Sequence, residues 1–162
     1  MTQTIPPFKP VQRILCPVDF SETTDGTFAY AAKLAHHLKA ELLAVYAYDN
    51  SELFNQPGHS HPELQAKLDA LKPPCEHVQV TRLLQPGPPG EVICWLAQER
   101  SCDLIVMGTH GRTGLKHLFL GSVAEYVMRH ARCPVLTLRE RSTSEPPLEK
   151  PQVLPVPAPR FM

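Results

Sequence analysis

The sequence predicts an α/β fold: a single-domain, doubly wound, five-stranded parallel sheet with strand order 3-2-1-4-5 and helices on both faces. Three observations carry that prediction. Short apolar runs alternate with helical patterns in the order βαβαβαβαβ, which implies a parallel sheet covered on both sides. Right-handed crossovers then restrict the winding, and the second half is expected to wind outward from the middle of the sheet. The chain of 162 residues is 43% hydrophobic and 20% charged, enough for one domain with a core that needs no disulfide or metal.

Each element has its own signal. Arg13-Ile-Leu-Cys-Pro-Val18 is a buried first strand, and Pro17, which has no N–H for the ladder, marks its end. Ser21-Glu-Thr-Thr reads as a helix start with Ser21 as cap, and Phe28, Ala31, Ala32, Ala35 and Leu38 fall on one face of that helix. Glu41 to Tyr48 is the second strand, and Asp49 to His61 reads as a loop. Leu64, Leu68 and Leu71 share a face of a short helix that Lys72-Pro-Pro ends. His77 to Leu84 alternates as a third strand, Gln85 to Gly90 turns, and Ile93, Leu96, Ala97 and Arg100 pattern a helix from about Glu91. Asp103-Leu-Ile-Val-Met107 is the clearest strand. A glycine-rich stretch from Gly108 to Gly114 follows it, then a helix from Ser122 to about Arg132 and a last strand from Cys133 to Leu138.

Residues 1–10 read as a flexible lead-in, 11–140 as the folded domain, and 141–162, with the sequence STSEPPLEKPQVLPVPAPRFM from Ser142 on, as a proline-rich disordered tail. Sixteen basic and sixteen acidic side chains cancel, so charge balance gives no footprint for nucleic acid or for an anionic membrane. No run is long and apolar enough to span a bilayer, and the N-terminus lacks the apolar core of a signal peptide. A cytoplasmic location is expected. The five cysteines are odd in number and no pair has C-x-x-C spacing, which argues for small buried hydrophobes over a disulfide framework or a zinc site. His36-His37 and His59-x-His61 lack acidic or cysteine partners at ligand spacing, so no metal site is expected.

Ligands of such sheets bind at the carboxyl ends of the strands where the winding reverses, here between the first and fourth strands. Pro17-Val-Asp-Phe-Ser21 follows the first strand, and Gly108-Thr-His-Gly-Arg-Thr-Gly114 follows the fourth. Glycines allow close backbone approach to a ligand, and successive N–H groups can converge on an anion. Gly121-Ser122 opens a helix whose N-terminus favours an anion, and Arg112 supplies a positive charge. Each feature has a plainer reading: Ser122-Val-Ala-Glu125 is a capping box, Gly108 a tight turn, Arg112 a surface charge. Their joint placement at the switch point favours a phosphate site. Neither G-x-x-x-x-G-K-[ST] nor a G-x-G-x-x-G after the first strand is present.

Gly108, two residues, Gly111, nine residues, then Gly121-Ser122 resembles the ATP-binding signature of universal stress proteins. Cys16-Pro-Val-Asp-Phe-Ser21, Asp103 to Gly111 and Cys133-Pro-Val-Leu136 are similar to family segments as well, so the resemblance runs from Arg13 to Leu138. It implies that Asp19 accepts hydrogen bonds from the ribose, that Pro17 and Val18 line the adenosine, and that Val45 meets the adenine through its backbone. It places Met107, Gly108, Gly111, Gly121, Ser122 and Val123 around the nucleotide, with His110 and Arg112 close by. ATP is the expected ligand, with Mg²⁺ or Mn²⁺ entering through its phosphates. The implied output is nucleotide-dependent conformation and choice of a protein partner in a stress or signalling role, from a homodimer formed through the last strand. The competing reading is a slow ATPase or phosphotransferase using the same pocket. Fast phosphoryl transfer needs metal ligands and a placed nucleophile, and no acidic pair suited to Mg²⁺ is evident.

Overall fold

The computed structural model describes residues 9–49, 60–109 and 120–139. The elements run β1 (Arg13–Pro17), α1 (Thr24–Leu38), β2 (Glu41–Tyr48), α2 (His61–Ala70), β3 (Val80–Pro86), α3 (Pro89–Glu99), β4 (Leu104–Gly108), α4 (Ser122–His130) and β5 (Val135–Leu138). The five strands form one sheet in the order β3-β2-β1-β4-β5, and every pairing is parallel. The expected order and pairing are both observed.

Strand periodicity sorts the core into two layers. Ile14 and Cys16 of β1, Leu42, Ala44 and Tyr46 of β2, and Val106 of β4 face α1 and α2. Leu15, Leu43, Val45, Ile105 and Met107 face the opposite way, against α3 and α4. Adjacent residues thus pack into different layers, as a sheet buried on both faces requires. Cys16 and Cys102 are buried among these apolar side chains, and burial pushes their thiols up to about 12 and about 11. They act as small hydrophobes.

Several element ends differ from the pattern-based expectation. The cap of α1 is Thr23, not Ser21, because the Ser21 side chain is turned toward Asp19. Leu38 sits in the last turn of α1 and is 44% exposed, so it is not part of the buried face. β3 starts at Val80, since His77 has a left-handed φ of 65° that no strand accommodates. α3 begins at Pro89, where a proline has no intrahelical hydrogen bond to lose. Its Arg100 is the exposed C-terminal cap, not a core-facing residue. α4 ends at His130, and β5 begins at Val135 after Pro134.

The amino end of the sheet is fastened by charge. Asp103 lies just before β4, and its Oδ2 accepts from the N–H groups of Gln12 and Arg13 at 2.9 and 3.1 Å. Lys9 Nζ lies 2.9 Å from Oδ1. Arg13 reaches Glu41 at 2.9 Å and also donates to the carbonyl of Arg100. Burial pushes the Asp103 carboxyl up, but the hydrogen bonds from Lys9, Gln12 and Arg13 outweigh it and hold the group below its ordinary value. The Arg13 hydrogen bond does the same for Glu41, against burial and with help from Thr81. These depressed groups stabilise the fold at pH values above their unfolded pKa, about 4, and that stabilisation is lost as pH falls through the folded values. Asp103→Asn should therefore lower the urea midpoint at neutral pH, with a gap from wild type that narrows as pH falls below about 4. A gap that stays constant over that range would contradict the assignment.

Candidate functional site

At the carboxyl edge of the sheet β1 and β4 end side by side, with α1 on one face and α3 and α4 on the other. The opening between them is a cleft of about 220 Å³. Pro17, Val18, Asp19, Val45, Met107, Gly108, Gly121, Ser122 and Val123 all line it. His110, Gly111 and Arg112 lie outside the described residues.

One wall is built by the turn after β1. Asp19 Oδ1 accepts three hydrogen bonds, from Ser21 N at 3.0 Å, Ser21 Oγ at 2.6 Å and Thr24 Oγ1 at 2.9 Å. These fix the carboxylate and leave Oδ2 without a partner among the described residues. The next residue, Phe20, has a φ of 57°, a left-handed conformation that is costly for a bulky side chain. Its ring is held by stacking on Tyr46, with centroids 4.8 Å apart, and Lys67 Nζ sits 5.9 Å from its centre. The reversal at Phe20 aims Asp19 into the cleft and sends the chain back toward α1.

The opposite wall is the start of α4. Gly121 N donates to Thr109 O at 2.6 Å, and Thr109 N donates to Leu138 O at 2.9 Å. The two ends of the glycine-rich connection are thereby joined beside β4. Gly121 is the N-cap of α4, with φ −74° and ψ 154°. Ser122 is thus the first helical residue and does not cap the helix, so the capping-box reading fails. Glu125 N makes the first intrahelical bond, to Gly121 O at 2.9 Å. No side chain among the described residues caps the helix, so within them the N–H groups of Ser122, Val123 and Ala124 are left open at its positive end. The backbone angles of Gly121 suit any residue. What glycine provides here is a helix start with no side chain of its own.

The floor corrects one expectation. Val45 lines the cleft, but its carbonyl already accepts the Val18 N–H at 2.9 Å. Along β2 the ladder alternates: Glu41 N and Val45 O bond toward β1, while Leu42 N and Tyr48 O bond toward β3. The same alternation turns the N–H and C=O of Ala47 toward β1, which has ended by then. Ala47, which also lines the cleft, presents the open backbone edge. Sequence reading missed Ala47 because the signal is ladder parity, not residue type. It also missed Thr23, Thr24 and Thr27 of α1 and Pro89 and Ile93 of α3. Those could have been found, because every helix that follows a parallel strand starts at this edge.

Among the described residues no group of three His, Cys, Asp or Glu could hold a metal. His37 Nδ1 lies 2.7 Å from its own helix carbonyl at Lys33, and His61 packs edge-on to Tyr48. His59 lies outside the described residues.

A model of the universal stress protein family matches residues 10–139. The chain belongs to the universal stress protein family. Universal stress protein MJ0531 of Methanocaldococcus jannaschii is 34% identical over 140 residues, covering 80% of this chain and 82% of its own. The solved structure of universal stress protein UspA from Lactobacillus plantarum is 26% identical, with a TM-score of 0.69, and covers 81% of this chain and 99% of its own. Two structures that share the fold at lower identity hold nucleotides. A universal stress protein in complex with cAMP is 22% identical, with a TM-score of 0.61, covering 81% of this chain and 98% of its own. One from Archaeoglobus fulgidus in complex with dAMP is 19% identical, with a TM-score of 0.57, covering 80% and 98%.

Proposed function

We propose that this universal stress protein binds ATP in the cleft between β1 and β4 and acts through nucleotide-dependent conformation and partner choice in a stress or signalling role. The observation that carries this reading is the start of α4. Three open N–H groups stand behind a glycine cap, in the same cleft as the fixed Asp19 carboxylate. A helix N-terminus of this kind suits phosphate, and a carboxylate oxygen suits sugar hydroxyls. Family structures holding cAMP and dAMP support a nucleotide as the class of ligand.

The polyphosphate would lie on Gly108, Gly121, Ser122 and Val123, with Gly111, His110 and Arg112 near it. Pro17, Val18 and Met107 would flank the nucleoside. The adenine edge would meet Ala47, whose N–H can donate to a ring nitrogen and whose carbonyl can accept from the exocyclic amine. Mg²⁺ or Mn²⁺ would arrive on the phosphates with mostly water ligands. No helix among the described residues is long and apolar enough to cross a membrane, and the proposed place of action is the cytoplasm.

Gly121→Val should abolish ATP binding by calorimetry while the protein stays folded. Valine fits the backbone angles but adds a branched side chain at the start of α4, where the phosphates would lie. Unchanged affinity in a folded variant would remove the phosphate site.

The proposed homodimer forms through β5, which lies at the sheet edge. Ile105 N and Thr109 N bond to Pro134 O and Leu138 O, so the even positions of β5 face β4. Val135 and Thr137 therefore present the open edge, which a second chain would cover by symmetric antiparallel pairing. Light scattering should show a dimer at micromolar concentration that survives removal of residues 141–162. Thr137→Pro should convert it to monomer by deleting an edge donor without touching the β4 ladder. A monomeric wild type would rule the dimer out.

A further inference from the structure

We infer that Thr27 is a specificity-determining residue of the cleft, whose hydroxyl holds one member of the sugar's vicinal diol beside the hydroxyl held by Asp19. The inference rests on the nucleotide reading above and adds a second sugar contact to it.

The buried face of α1 consists of Thr24, Thr27, Phe28, Ala31, Ala32 and Ala35. From Phe28 onward it is wholly apolar, as a helix packed on a sheet should be. The two threonines stand where α1 borders the cleft, and both line it. Thr24 is accounted for, because its hydroxyl donates to Asp19 Oδ1 at 2.9 Å. Thr27 is not. Only 7% of it is exposed, and its N–H bonds to Thr23 O at 3.0 Å, but its hydroxyl has no hydrogen-bond partner among the described residues. A β-branched residue is a poorer helix former than alanine, and the Thr27 hydroxyl, at the wall of the cleft, is left to bond whatever the cleft holds. Alanine, used at three later positions on the same face, would serve packing better.

Placement indicates the bonding group. Thr24 and Thr27 are three apart, so they are neighbours along one side of the helix. Thr24 touches the Asp19 carboxylate, which puts Thr27 one helical step further along the same wall. Asp19 Oδ1 is saturated by Ser21 and Thr24, and Oδ2 is open. The wall therefore offers an acceptor, Oδ2, and beside it a hydroxyl that both donates and accepts. Two adjacent hydroxyls of a ribose match that pair. A deoxyribose satisfies only one member.

The test is calorimetric titration of the full chain with ATP, 2′-deoxy-ATP and 3′-deoxy-ATP, using wild type, Thr27→Val and Thr27→Ser. Thr27→Val keeps shape and removes the hydroxyl. It should weaken ATP by about three- to tenfold, the range for one net hydrogen bond. It should leave unchanged the deoxy analogue that lacks the hydroxyl Thr27 would have met. Thr27→Ser should retain the discrimination. The ligand-free Thr27→Val protein should melt no lower than wild type, since no internal hydrogen bond is lost. Equal losses for all three nucleotides, an unchanged ATP affinity, or a lowered ligand-free melting temperature in both Thr27→Val and Thr27→Ala would each overturn the inference. Wild type that binds ATP and both analogues equally would overturn it while leaving the nucleotide reading intact. Wild type that binds none of them would remove both.

Discussion

Right-handed crossovers between parallel strands leave one seam where the helices on either side depart to opposite faces. In this chain the seam lies between β1 and β4. Helix α1 leaves β1 for one face, α4 leaves β4 for the other, and nothing among the described residues covers the strand ends between them. The cleft is a consequence of winding order. Side chains decide only what it is suited to hold. Its two walls belong to the second and eighth of the nine described elements, which come together because the two central strands pair at Ile14↔Leu104 and Leu15↔Ile105.

The same pairing explains why charge gathers at the far end of the sheet. Asp103 bridges the entry to β4 and the entry to β1 by accepting from Gln12 and Arg13, which sets the relative height of the two central strands. A slip of one residue between them would turn every side chain of a strand to the other face. It would also displace Gly108 from Asp19 at the carboxyl end. Register fixed at one end is thus geometry supplied at the other. The carboxyl end adds a local device of its own. Phe20 is held left-handed by its stack on Tyr46, and the three donors on Asp19 Oδ1 lock the turn that it creates.

Much of this was legible in the residues. Apolar runs of five to eight residues between helical patterns specify a doubly wound sheet because few topologies satisfy the handedness rule. Asp19 and the Gly108 and Gly121-Ser122 segments could be placed at the seam before any coordinates, since they directly follow or border the two central strands. What stayed hidden depends on geometry that residue type does not encode. Phe20 carries no sign of a left-handed turn, because phenylalanine is not a residue that prefers one. Ser21 reads as a cap, yet a carboxylate two residues earlier competes for its hydroxyl. Val45 and Ala47 are both small apolar strand residues, and only the parity of the ladder and the early end of β1 show which has open backbone. Thr27 looks like an ordinary helical position until its neighbours are seen to leave its hydroxyl unbonded.

The central claim is that the seam is a nucleotide site occupied by ATP. Its most direct test is to purify the protein with no added ligand, denature it, and identify what is released by mass spectrometry. Release of ATP in stoichiometric amount with the chain is the predicted result. No released nucleotide, together with no heat when ATP is titrated into the same preparation, would contradict the claim.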